Sequence, residues 1–226
     1  MQELISSVKW GWLPSNMKSK KALLFDLGNV LLPIDLLLTF QAFSQLSTYF
    51  NPLEIQDKII NEGLWLGYEA GLLTDEEFRN LLRDKLAMNC SNEEFDQAFS
   101  ALLLDFPSNI YTFLKDLTSN FDLYLLSNTS VIHSRIFLNI QLGPNGENLF
   151  GLFKKAHFSY EMGLVKPNPL IYQQVLSENN LEAGQVVFFD DNAANIESAS
   201  KLGIDSILID PKTSLTQISA KINELC

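Results

Sequence analysis

Cysteine and histidine are scarce, with two of each in 226 residues. Cys90 and Cys226 stand far apart with no CxxC or metal-ligand spacing, so neither a disulfide framework nor a zinc site organises this chain, and both read as free thiols. His133 and His157 have no partner at a ligand spacing either and read as packing or surface residues. Basic residues are outnumbered, 16 Lys plus Arg against 27 Asp plus Glu, giving a formal net charge of −11 and a pI near 4.6. Nucleic acid and anionic lipid demand clustered Lys and Arg, so neither is an expected partner. A small anion stays compatible, because backbone N–H groups, one lysine or a divalent cation can hold it locally. No apolar run approaches the roughly 18 residues of a spanning helix, and MQELISSVKWGWLPSNMK lacks a basic segment followed by an apolar one. A cytoplasmic protein with small-molecule partners is the expectation, and repeats and low-complexity tracts are missing too.

What is present is a series of short apolar runs: ALLFD at 22–26, DLYLLS at 122–127, AHFS at 156–159, VVFFD at 186–190 and SILI at 206–209. They read as strands. Helical patterns lie between the later ones, SNIYTFLKDLTS, NPLIYQQVLSENN and AANIESASKLG, the last closed by Gly203 at a C-cap position. Alternation of this kind predicts an α/β fold, a doubly wound parallel sheet whose ligands gather at the carboxyl ends of the strands. About 95 residues separate the first two runs, far more than one crossover helix needs. That text is almost wholly helical, with two S/T-x-x-E capping boxes at Thr74–Glu77 and Ser91–Glu94. The expected organisation is therefore an N-terminal extension at 1–20, with Met17 a candidate alternative start. An α/β core follows at 21–33 and 107–226, with a small all-helical cap at 34–106 inserted after the first strand.

Four polar features fall at the carboxyl ends of successive strands: Asp26, Ser127-Asn128, Lys166 and Asp190-Asp191. Each has a bland reading as a cap, a turn or a solvated charge, but their joint placement along one rim is chemically coherent. A strand-end carboxylate such as Asp26 can serve as a nucleophile forming an aspartyl-phosphate. Asp190 and Asp191 offer hard oxygen ligands to Mg2+, which brings two anions together. Lys166 adds a fixed positive charge, and Ser127 with nearby N–H groups can hold phosphoryl oxygens.

In order, FDLGNVL, LLSNT, GLVKPNP and FFDDNAANIESA resemble the four motifs of the haloacid dehalogenase-like (HAD) hydrolases over Lys21 to Pro211. The resemblance implies an Mg2+-dependent phosphatase acting on a small phosphorylated metabolite. In it Asp26 is the nucleophile, Ser127 and Asn128 belong to the phosphate-binding loop, and Lys166 steadies nucleophile and phosphate. Asp26, Asp190, Asp191 and the backbone carbonyl of Gly28 would bind the metal. Gly28 is a departure, because most phosphatases of the family carry there a second Asp that protonates the leaving group.

Three readings of Gly28 stay open. One is a phosphatase whose leaving group needs little help, such as a sugar 1-phosphate, for DLGNV resembles a subgroup that includes α-glucose-1-phosphate phosphatases. Another is different hydrolytic chemistry: a dehalogenase, against which FFDDN argues, or a phosphonatase-like enzyme using Lys58 or Lys85. The third is a phosphate-ligand binding or regulatory protein without catalysis. Among cap residues, Trp65 and Tyr68 are expected to face the pocket, and Glu69 is the first candidate to stand in for the missing acid, against the plainer view of it as a solvated helix end.

Overall fold

The structure, a computed structural model, describes residues 20–48, 51–60 and 62–225. The extension up to residue 19 with Met17, the cap aromatics Tyr49 and Phe50, and Cys226 lie outside the described residues. β1 (Ala22–Phe25) leads into five helices, α1 (Leu36–Leu46), α2 (Pro52–Ile60), α3 (Leu64–Glu69), α4 (Asp75–Leu86) and α5 (Asn92–Phe99). The chain continues through α6 (Ile110–Leu117), β2 (Asp122–Ser127), α7 (Val131–Phe137), β3 (Lys155–Phe158), α8 (Ser159–Met162) and α9 (Pro169–Glu178). It ends with β4 (Val186–Asp190), α10 (Ala193–Ser200), β5 (Asp205–Leu208) and α11 (Ser214–Leu225).

All strand pairs are parallel, in the order β3-β2-β1-β4-β5. The chain winds outward from β1 to β3 on one side and then crosses to β4 and β5 on the other. β1 and β4 therefore flank the switch point, where the connections after the two strands part and leave a crevice at their carboxyl ends. Both faces of the sheet are covered. Leu23, Phe25, Leu123, Leu125, Val187 and Phe189 pack toward α6, α7 and α11. Their alternates Ala22, Leu24, Tyr124, Leu126, Val186 and Phe188 pack toward α9 and α10. This double burial is why the strands read as unbroken apolar runs instead of an alternating pattern.

The helical segment α1–α5 has its own apolar cluster, centred on Phe40, Phe43, Phe78, Phe95 and Phe99, each at most 1% exposed. Burying one such side chain contributes about 1.5–3 kcal/mol. Both capping boxes form: Thr74 and Ser91 accept from the N–H groups of Glu77 and Glu94, whose carboxylates accept in return from the cap residues' N–H groups. Arg79 ties α4 to α5 through Asp96, Nε to Oδ1 at 2.7 Å and Nη2 to Oδ2 at 2.6 Å. The segment leaves and re-enters the sheet domain through a paired neck, Asp35 N–H to Leu102 O at 2.9 Å and Leu104 N–H to Pro33 O at 3.1 Å.

Two further contacts seat the helical segment on the sheet domain. Arg135 of α7 donates to Asp75 Oδ2 at 2.6 Å, and the other oxygen of Asp75 accepts from Tyr68 Oη at 2.6 Å. Gly71 lies so close to the backbone of Tyr160 that a Cβ there would meet the carbonyl oxygen at 2.4 Å. No helix among the described residues is long and apolar enough to cross a membrane.

Candidate active site

The rim of the switch point collects the predicted residues. Asp26 follows β1 and is positioned by its N–H donating to Phe189 O at 2.9 Å, which extends the β1–β4 pairing past the strand end. Asp190 ends β4 and is fully buried. Between them, Lys166 Nζ reaches Asp26 Oδ1 and Asp190 Oδ2, each at 2.7 Å. One buried ammonium thus bridges two carboxylates, of which Asp26 keeps a small solvent-facing edge. Asp191 completes a group whose ligand oxygens all lie within 4.8 Å of one another.

The charges in this cluster do not cancel. Burial raises Asp26 well above the ordinary carboxylate range; Lys166 pulls it down, while Asp190 and Asp191 push it up again. Asp191 is raised too, first by burial and then by Asp190. Burial alone would lower Lys166, but Asp26 and Asp190 more than reverse that and hold its ammonium above its usual value. Three carboxylates around one ammonium leave an excess of negative charge with hard oxygen donors at short range. That donor set fits a divalent cation such as Mg2+.

Lys166 is held in place by a neighbour in sequence space 38 residues away. The Asn128 carboxamide accepts from Lys166 N–H at 2.9 Å and donates to Lys166 O at 3.0 Å, clamping the segment whose Lys166–Pro167 bond is cis. The side chain of Asn128 is therefore committed to the lysine's backbone. Ser127, buried at the end of β2, lines the adjoining cavity with its neighbours Asn128 and Thr129. Thr129 is locked to Ser159, which accepts from its N–H at 2.9 Å and donates to its O at 3.1 Å.

Three asparagines join the site that were not among the expected residues. Asn195 Nδ2 donates to both oxygens of Asp190 at 3.0 Å, and Asn192 N–H donates to Oδ1 at 2.8 Å, so α10 begins by orienting the acid. The signal was the Asn-Ala-Ala-Asn run after Asp191. Asn29 adopts a left-handed φ of 58°, accepts from Ile34 N–H at 3.2 Å and hydrogen-bonds Asp191. It carries the turn after Gly28, and a short polar side chain tolerates that conformation. At Gly28 itself an added Cβ would meet the Ile34 side chain, Cδ1 at 3.2 Å and Cγ1 at 3.8 Å.

The predicted cap residues divide. Trp65 lines the cavity next to Gly28 and Ser127, with its ring packed on Phe99 at 4.8 Å between centroids. Glu69 lines the same cavity and accepts from Trp65 Nε1 at 2.9 Å. Burial pushes the Glu69 carboxyl up to about 7, against the pull of the indole N–H and of Lys166. It is half-buried at the cavity wall and not a freely solvated helix end. Tyr68, expected beside Trp65 at the pocket, instead points into the helical core, 1% exposed and stacked on Phe78 at 4.1 Å. Its hydroxyl has a partner there in Asp75, which removes the cost of burying it. Lys58 and Lys85 do not line the cavity, and Lys85 pairs with Glu62. Both histidines are buried in packing roles: His133 is stacked on Phe99 and His157 is hydrogen-bonded to Asn179 at 2.9 Å.

The family model for haloacid dehalogenase-like hydrolases matches residues 20–203, and the chain belongs to that family. It is 27% identical over 186 residues to the D-ribitol-5-phosphate phosphatase of Bacteroides thetaiotaomicron, which spans 82% of this chain and 90% of that protein. A HAD family enzyme from Bacteroides thetaiotaomicron, solved with magnesium and inorganic phosphate, is similar at TM-score 0.78 and 30% identity, covering 85% of this chain and 95% of that one. A HAD-like family hydrolase from Porphyromonas gingivalis has TM-score 0.81 at 24% identity, over 90% of this chain and 98% of that one, a likeness in fold alone.

Proposed function

We propose that this hydrolase is an Mg2+-dependent phosphatase that removes phosphate from a small sugar or polyol phosphate through an aspartyl-phosphate intermediate. The observation that carries the proposal is the buried cluster in which Lys166 bridges Asp26 and Asp190 beside Asp191. Asp26, Asp190, Asp191 and the carbonyl of Gly28 would hold Mg2+, which would supply the positive charge that lets a phosphoryl group approach a carboxylate. Asp26 attacks phosphorus, the bond to the leaving oxygen breaks, and water then displaces the Asp26 carboxylate. Lys166 pulls Asp26 toward its ionised form against the effect of burial and fixes its direction, and Ser127 holds non-bridging oxygens as charge shifts onto them. Asn128 serves by fixing Lys166.

A sugar 1-phosphate is the favoured substrate, since an anomeric oxygen departs with less proton transfer than an ordinary alcohol and Gly28 brings no side-chain acid. DLGNV supports the same choice by its resemblance to the α-glucose-1-phosphate phosphatases. A phosphate on a primary hydroxyl is the second reading, favoured by the relative that acts on D-ribitol 5-phosphate. The test is phosphate release from sugar 1-phosphates, sugar and polyol 5- and 6-phosphates, nucleotides and acyl phosphates, with and without Mg2+. Turnover that needs Mg2+ and disappears in Asp26→Asn is the expected result. Binding without turnover across the whole panel would overturn it in favour of a phosphate-ligand binding protein.

A further inference from the structure

Breaking a phosphate ester of an ordinary alcohol calls for a proton on the departing oxygen, and the second half-reaction calls for a base to take one from water. The residues at the phosphoryl end are already committed. Asp26 forms the covalent bond, Lys166 is pinned as an ammonium between two carboxylates, and Gly28 has no side chain.

The cavity beside Gly28 and Ser127 is otherwise mostly apolar, and among the described residues only two titratable side chains line it, His133 and Glu69. His133 is spoken for. Its Nε2 lies 3.1 Å from Phe99 O, an acceptor, so that nitrogen carries the proton and donates it into the helical segment. Burial pushes its pKa down to about 4, which keeps the ring neutral in the working range of most enzymes. Among the described residues Glu69 is the one carboxyl group lining the cavity.

Its placement is built, not incidental. Glu69 ends α3, and Trp65, one turn earlier on the same face, donates its indole N–H to Oε1 at 2.9 Å. Immediately beyond, Gly71 seats the end of α3 against the Tyr160 carbonyl, in the helix that leads to Lys166. Tyr160 is itself fixed by stacking on Phe158 and by its hydroxyl donating to Ser134 Oγ at 3.1 Å. Lys166 is near enough for its charge to act on the Glu69 carboxyl.

We propose that Glu69, oriented by Trp65, is the general acid and base of this site, doing from the helical segment what position 28 has no side chain to do. The inference rests on the phosphatase reading and adds a residue to it. In the first step an Asp26 oxygen bonds to phosphorus, the P–O ester bond breaks with its electrons going to the leaving oxygen, and the proton of the Glu69 carboxyl moves to that oxygen. In the second, the Glu69 carboxylate takes a proton from water as the water oxygen bonds to phosphorus, and the P–O bond to Asp26 breaks to regenerate its carboxylate. Burial in this cavity holds the Glu69 pKa at about 7, so both forms are accessible near neutrality. An alkyl phosphate such as a polyol phosphate then becomes as workable a substrate as one with a good leaving group.

The experiment uses the full chain with Mg2+, p-nitrophenyl phosphate, and the best alkyl phosphate from the panel. Glu69→Gln is expected to lower kcat/KM, which reports the step in which the leaving group departs, about 10²–10⁴-fold on the alkyl phosphate and less than about tenfold on p-nitrophenyl phosphate, whose leaving group needs no proton. Wild-type kcat/KM on the alkyl phosphate should fall above about pH 7 as Glu69 ionises, and Trp65→Phe, which removes a hydrogen bond to the ionised form, should move that fall to higher pH. Equal losses of kcat/KM on both substrates, no loss on either, or a pH limb that Trp65→Phe leaves in place would each overturn the inference. So would a wild type that turns over p-nitrophenyl phosphate but no alkyl phosphate, while leaving the proposed function standing. Failure of wild type on every substrate would instead remove the phosphatase reading itself.

Discussion

Replacing Gly71 with alanine tests whether the helical segment is seated on the sheet domain as described. Gly71 has φ of +69°, where a Cβ costs about 1–2 kcal/mol on conformational grounds alone. The same Cβ would stand 2.4 Å from the Tyr160 carbonyl oxygen, a backbone atom that cannot rotate away. Overpacking of that kind adds about 1–3 kcal/mol, so Gly71→Ala should lose about 2–5 kcal/mol. Gly63 supplies the control, with φ of +67° and nothing within 4 Å of its Cβ position. Gly63→Ala should therefore lose only the conformational part, about 1–2 kcal/mol. Urea unfolding with linear extrapolation reads both on one scale. Gly71→Ala should also lower kcat/KM, because the end of α3 is moved away from the rim and carries Glu69 with it. Equal destabilisation by the two substitutions would refute the close approach to Tyr160.

Adding Mg2+ to metal-free protein should raise its unfolding free energy by about 2.7 kcal/mol at a hundredfold excess over Kd, and Asp191→Asn should abolish most of the rise in Tm; a rise that survives the substitution counts against the three-acid site. His133 is held neutral in the folded state, with a pKa of about 4 against an ordinary value of 6.5. The unfolded chain binds the extra proton first, so stability should fall as pH drops from about 6.5 to about 4, by on the order of 3 kcal/mol from this residue. Unfolding curves of wild type and His133→Gln across that range measure it, and parallel pH slopes would refute the assignment. Arg79→Ala breaks a two-pronged, mostly buried pair with Asp96 and should cost about 1.5–3 kcal/mol, whereas Arg135→Ala breaks a pair whose arginine is 57% exposed and should cost under about 1 kcal/mol. The reverse order in denaturant midpoints would contradict the burial of the two pairs.

The strands and the helical insertion were legible because their signals are local. Leu23 to Phe25 and Val187 to Phe189 are apolar at every position since helices cover both faces of the sheet. Thr74 and Ser91 announced helix starts because a capping box lies wholly within four residues. The rim acids were legible as well, since residues at the ends of parallel strands converge whatever the loops do. Side chains whose surroundings come from distant segments were not. Tyr68 and Trp65 share a face of α3, yet Tyr68 turns to Phe78 and Asp75 while Trp65 reaches the cavity. Asn128 looked like part of a phosphate loop, and its carboxamide proves to be the clamp on Lys166.

Glu69 shows where the division lies. Its sequence neighbourhood, WLGYEAG, marks a short helix bearing an acid near its end, and periodicity carries that no further. Its chemistry depends on Trp65 donating from the turn before, on Gly71 pressing against Tyr160, and on the charge of Lys166 from 97 positions later in the chain. The sequence alone determined the fold class, the order of its elements and the carboxylate set at the rim, because strand burial, helix capping and strand-end convergence follow from neighbouring residues. Tertiary structure decided which acid is desolvated, which lysine is clamped and which aromatic meets the cavity. Desolvation and charge coupling depend on distances through space, and only the packed chain sets those distances.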